Sequence, residues 1–170
     1  MSEKPSIVDL DPGRNKKRYF DLLFRDKNNF RLKLEEMLSE YNPEVIAIFG
    51  ESAQEMWNDL LQNTDFSLSN FIEVLRINTK DQNGARDYDT AIKSFCTQAE
   101  AGLKVLIVED FMRGGSKIKR LYKELSKIYK IKILVLAIKK NILLSEDLQN
   151  DLIYVSNNLD DFRTVDLRDF

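Results

Sequence analysis

The stretch Lys104–Leu121, KVLIVEDFMRGGSKIKRL, concentrates the residues of this chain that are able to do chemistry. An apolar run ends in two carboxylates, Glu109 and Asp110. A short loop with Gly114 and Gly115 follows, and then Ser116 and Lys117. Adjacent acids at the end of a strand accept hydrogen bonds from vicinal hydroxyls, or hold Mg²⁺ through water. Glycines let backbone N–H groups approach an anion closely. A helix beginning at Ser116 adds unpaired donors and a partial positive charge, and Ser116 itself suits a helix cap or a bond to a phosphate oxygen. Arg113 and Lys117 bring two cations to the same spot. Each part alone suits an ordinary strand-to-helix turn. Their succession in one run points instead to a site for the phosphate and hydroxyls of a small phosphorylated sugar.

Other chemistries are narrowly bounded. The 170 residues contain no histidine and a single cysteine, Cys96. Ser-His-Asp and Cys-His catalysis, His-ligated zinc, Cys-cluster metal sites and intrachain disulfides are therefore excluded. Cys96 reads as a small core residue, since nothing is present to activate it as a nucleophile. The net charge of −2 gives no general affinity for nucleic acid. No apolar run approaches the roughly 20 residues of a membrane span, and the start of the chain lacks the apolar core of a signal peptide. A cytoplasmic protein is expected, without a nucleic-acid or membrane partner.

The elements that must position the site follow from periodicity. Residues 1–17 are polar, contain Pro5, Pro12 and Gly13, and read as a flexible arm, leaving 18–170 as a single α/β domain. Phe30, Leu34, Met37, Leu38 and Tyr41 recur at helical spacing and predict a helix over Asn28–Tyr41, stopped by Asn42-Pro43. Short apolar strands are predicted at Glu44–Phe49, Phe71–Ile77, Lys104–Glu109 and Ile131–Ile138. Helices are predicted at Ala53–Gln62, Thr90–Glu100 and Ser116–Tyr129. Trp57 falls on an apolar helix face and reads as core. Thr79–Asp89 contains Asn83-Gly84 and reads as a turn or mobile loop. Near-continuous apolar strands alternating with helices predict a parallel twisted sheet covered on both faces, with ligands beyond the carboxyl ends of its strands.

At VLIVEDFMRGGSK the chain resembles the PRPP-binding signature of the type I phosphoribosyltransferases: an apolar strand, two acids, and a short loop with glycine at the fifth position after the acids, before a helix. The resemblance implies that Glu109 and Asp110 contact the ribose hydroxyls and carry the catalytic and Mg²⁺-linked roles. It implies that Arg113, Gly114, Gly115, Ser116 and Lys117 wrap the 5′-phosphate. Ile48–Ala53 falls where the family has its pyrophosphate loop, which assigns Glu51 and Ser52 to pyrophosphate. Thr79–Asp89 falls at the flexible catalytic lid; Lys80, Arg86 and Tyr88 are the anion contacts it could offer, and each reads first as a solvated loop residue. Ile131–Asn141 resembles the strand of the purine-salvage enzymes that ends in a base-reading lysine, here Lys139. Leu152–Phe162 resembles their small C-terminal hood, with Phe162 near a base-stacking aromatic.

Three positions depart from the family pattern. Arg113 stands where purine enzymes carry an acid, Lys117 where a small hydroxyl residue touches phosphate, and Glu51 in a loop of small or basic residues. Two readings stay open. One is a divergent phosphoribosyltransferase with a degenerate pyrophosphate loop, transferring a ribosyl phosphate from PRPP to a nitrogenous base with Mg²⁺. The other is a catalytically inactive relative that binds PRPP, a nucleotide or a protein partner in a regulatory role. A homodimer is compatible with both. The Lys/Arg residues of Lys117–Lys132 lie opposite its apolar stripe and read as a solvated face. A response-regulator receiver is disfavoured because about a hundred residues precede the acid pair, and no GxGxxG is present for a dinucleotide fold.

Overall fold

The structure, a computed structural model of the chain, describes residues 27–63, 68–69, 71–157 and 159. A first helix, α1, spans residues 27–40. It is followed by β1 (Val45–Phe49), α2 (Glu51–Asn63), β2 (Glu73–Ile77), α3 (Tyr88–Gln98), β3 (Lys104–Met112), α4 (Ser116–Leu125), β4 (Lys130–Ile138), α5 (Glu146–Asp151) and β5 (Leu152–Ser156). The expected arm, residues 1–17, lies outside the described residues.

The five strands form one parallel sheet in the order β2-β1-β3-β4-β5. Every residue of β1 is buried, and so is nearly all of β3 and β4, as their near-continuous Val/Ile/Leu runs require. Alternation along the strands splits the core in two. Ile46, Ile48, Leu106, Val108 and Leu134 face α1 and α2, packing with Phe30, Leu34 and Trp57. Val45, Ala47, Val105, Ile107 and Ile133 face α3 and α4, packing with Phe95, Ile118 and Leu121. Helices thus cover both faces, as predicted.

The differences from the sequence reading cluster at the carboxyl ends. β3 does not stop at Glu109. It runs on to Met112, held in register against β4 from Lys104↔Lys130 to Met112↔Ile138. The Lys139 N–H continues the ladder to the Met112 carbonyl at 2.8 Å. Both acids therefore lie within the strand, and the turn shrinks from the expected Phe111–Gly115 to residues 113–115. The helix expected to reach Tyr129 ends at Leu125, and the Tyr129 N–H still bonds the Leu125 carbonyl. The first part of Leu152–Phe162 is β5, an edge strand parallel to β4.

Candidate functional site

From β1 the chain crosses to β2 on one side, then returns to β3 on the other. The crevice above the carboxyl ends of β1 and β3 is thus the topological switch point, where ligands of open parallel sheets bind. Ladder pairing between these strands ends at Ala47↔Ile107. Beyond it, Phe49 and Glu109 stand at a widening gap.

Lys117, in the first turn of α4, spans that gap. Its ammonium lies 2.8 Å from Glu109 Oε2 and 3.1 Å from Oε1, and also donates to the Phe49 carbonyl. Glu109 Oε1 accepts the Asp110 N–H as well, at 3.1 Å. The Glu109 side chain is 3 % exposed and that of Lys117 22 %. Burial pushes the Glu109 carboxyl up to about 8, with Asp110 adding to the rise and the Lys117 ammonium pulling against it. Asp110 is also buried, and its Oδ1 accepts the Phe111 N–H at 2.8 Å. Successive side chains of a strand project to opposite faces. The two neighbouring acids therefore do not form one forked acceptor.

The neighbouring ends of β1 and β2 complete this node. Gly50 takes a φ of 97°, and a Cβ there would lie 3.0 Å from Lys117 Nζ and 3.3 Å from the Thr79 hydroxyl. Its N–H bonds the Ile77 carbonyl at 2.9 Å. Buried Thr79 is a site residue that the sequence reading missed; a hydroxyl just beyond an apolar strand was its only signal. Glu51 and Ser52 are exposed at the start of α2, where the carboxylate of Glu51 already complements the helix dipole.

The β3–α4 loop supplies donors. Gly115, at φ 78°, is the N-cap of α4, and no side chain caps the helix. Lys119 N–H is the first to bond back, to the Gly115 carbonyl at 2.8 Å. Gly115 is buried, Gly114 and Ser116 are exposed, and Arg113 and Lys117 are half-buried. Of the five loop residues expected around a phosphate, four line the turn and helix start, while the Lys117 amine is directed to Glu109. Lys139 is exposed at the carboxyl end of β4, and Phe162 lies outside the described residues.

Of the expected loop Thr79–Asp89, residues 79–87 form a small hairpin and the last two open α3. Lys80 and Arg86 form an antiparallel bridge, and Asp81 Oδ1 accepts the Asn83 and Ala85 N–H groups at 2.8 and 2.9 Å. Asp87 then caps α3 by accepting from Thr90, which holds its carboxyl below the usual range. Tyr88 is the first residue of that helix.

Among the described residues no three His, Cys, Asp or Glu side chains gather as a metal site, and no helix is long and apolar enough to cross a membrane. A cleft of about 560 Å³ lies at the opposite end of the sheet, with Glu35, Leu38, Pro43, Glu44, Phe71 and Ile72 in its lining. Its charged lining residues, Glu35 and Glu44, are both acidic, whereas Arg113 and Lys117 bring cations beside the switch point.

No family model and no curated protein sequence matches the chain. Solved structures do. A purine phosphoribosyltransferase from Pyrococcus horikoshii is 20% identical over 78% of this chain and 82% of its own, with a TM-score of 0.51. A variant of the hypoxanthine phosphoribosyltransferase from Trypanosoma cruzi, complexed with the product IMP, is 18% identical over 81% and 68%, with a TM-score of 0.52. A further structure of the Trypanosoma cruzi enzyme is 17% identical over 81% and 77%, also at 0.52. At such identities the likeness is one of fold.

Proposed function

We propose that this chain, which has the type I phosphoribosyltransferase fold, binds a 5-phosphoribosyl group at the β3–α4 loop and transfers it from PRPP to a nitrogenous base. The observation that carries this reading is the uncapped start of α4. It follows directly on the buried acids of β3, beside the switch point of the sheet. Backbone N–H groups of the 113–116 turn take the 5′-phosphate, with Arg113 adding charge. Asp110 accepts from a ribose hydroxyl. Lys139 donates to the base from the end of β4, and Glu51 and Ser52 flank the leaving group.

In the transfer, a ring nitrogen of the base forms a bond to ribose C1. The C1–O bond to pyrophosphate breaks, and its electron pair leaves with pyrophosphate. The proton displaced from the base nitrogen passes to water, because the Arg113 guanidinium cannot accept it. The chain contributes positioning and charge stabilisation. The Mg²⁺ that the fold family implies does not fit Glu109 as a ligand, since the Lys117 ammonium already occupies both carboxylate oxygens.

That same pair favours a second reading, a catalytically silent module that retains the ribose-phosphate site. Calorimetry with PRPP, followed by a screen of purine and pyrimidine bases for pyrophosphate release, separates the two. Binding with turnover supports the enzyme. Binding without release for any base leaves the silent module, and absence of binding overturns both.

A further inference from the structure

We propose that the Lys117 ammonium is a built-in cation at the β1–β3 switch point, so that ligand binding there is independent of divalent metal. The proposal rests on the ribose-phosphate reading for its ligand, but its cation claim stands on geometry alone. Three oxygens from two strands converge on this amine, which α4 carries: the Phe49 carbonyl at the end of β1 and both carboxylate oxygens of Glu109 from β3. Phe49 lies beyond the last β1–β3 ladder pair, so its carbonyl needs a donor from elsewhere. Glu109 is a buried carboxyl, and its two oxygens need donors beyond the one N–H that the strand supplies.

A hard divalent cation would draw on just such a set, one backbone carbonyl and a bidentate carboxylate at a strand's end. Lys117 satisfies the same oxygens with three N–H donors and a single charge. The surroundings close the place further. The amine sits against Gly50, where a Cβ would fall 3.0 Å from it, beside the Thr79 hydroxyl. A metal entering here would have to expel the ammonium from two carboxylate oxygens and a carbonyl. Lys117 also starts from the first turn of α4. The tether that carries the cation is therefore the same helix whose free N–H groups face the proposed phosphate. Cation and anion site are supplied by one rigid element instead of being assembled with each ligand.

Two measurements on the full chain test this. The first is Mn²⁺ binding followed by water-proton relaxation, in wild type, Lys117→Met and Glu109→Gln. Wild type and Glu109→Gln are expected to show no site, and Lys117→Met to gain one. A wild-type site that disappears in Glu109→Gln overturns the proposal, as does Lys117→Met that folds yet gains none. The second is calorimetry of ribose 5-phosphate with wild type, in EDTA and in excess Mg²⁺. The dissociation constant is expected to agree within about twofold, and a tightening of about tenfold or more with Mg²⁺ overturns the proposal. If Lys117→Met does not fold, this wild-type comparison decides. If ribose 5-phosphate does not bind at all, the ribose-phosphate reading fails, and the Mn²⁺ series still decides the cation claim.

Discussion

Glu109 and Asp110 are neighbours in sequence with different surroundings, and this separates their responses to substitution. The Glu109 carboxyl is raised by burial from 4.5 to about 8 in the folded chain. Between these values the folded state holds a proton that the unfolded state has released. The Glu109 contribution to stability is therefore full below about pH 4.5 and falls as pH rises towards 8, by at most about 1.4 kcal/mol per pH unit. In Glu109→Gln this decline is expected to disappear, which urea midpoints at a series of pH values will show. Asp110→Ala is expected to weaken ribose-phosphate binding. It also costs stability, because the hydrogen bond from the Phe111 N–H to the carboxylate, at 2.8 Å, is lost. The cost is roughly 1–2 kcal/mol. Asp110→Asn retains an acceptor and is expected to recover most of the stability in the same denaturation assay. The identity of these acids was legible in the sequence, but their burial was not. Charged residues after an apolar run look like a strand end meeting water. What buries them is β4 alongside and Lys117 from the next helix, neither of which local composition discloses.

The elements were read correctly where one pattern ruled over a whole segment. β1 and β4 are apolar on both faces, and α4 carries Ile118, Leu121 and Leu125 on one stripe. Boundaries failed where a neighbour decides, as in the extension of β3 to Met112. The β3–α4 turn shows the same division between its two glycines. Gly115 takes φ 78°, and a Cβ there would lie 3.2 Å from Ile142 Cδ1 and 3.3 Å from Met112 Cε. Gly114 has no atom within 4 Å of such a Cβ. Gly115→Val is expected to cost about 2–3 kcal/mol and to abolish phosphate-induced NMR shifts in the loop. Gly114→Ala is expected to stay within about 0.5 kcal/mol of wild type by thermal denaturation. Equal losses for the two would mean that the turn is not tuned at Gly115.

At the scale of the whole molecule, the sheet separates two apolar layers, and Leu106 is fully buried in the layer shared with Trp57 and Phe30. Leu106→Ala removes buried methyl groups from the middle strand, where collapse of the surroundings is hardest. A loss of about 3–5 kcal/mol is expected in urea unfolding. The fold class was legible because alternating helical stripes and apolar strands admit few packings. The strand order was not, since it depends on which edges meet in space.

That order bears on how the chain acquires its structure in time. β3 and β4 pair from Lys104 against Lys130, across a single short helix. By contrast β1, translated earlier, meets β3 only after a detour through β2 and α3, with Glu44 and Lys104 60 residues apart. Closing the longer loop costs more chain entropy and brings no contact until it is complete. β3–α4–β4 is thus the segment able to condense first, and it already contains both Glu109 and Lys117. The ammonium is in reach of its carboxylate before β1 arrives. When β1 docks, its Phe49 carbonyl meets a donor already positioned, and the central seam of the sheet closes onto a finished Lys117–Glu109 contact.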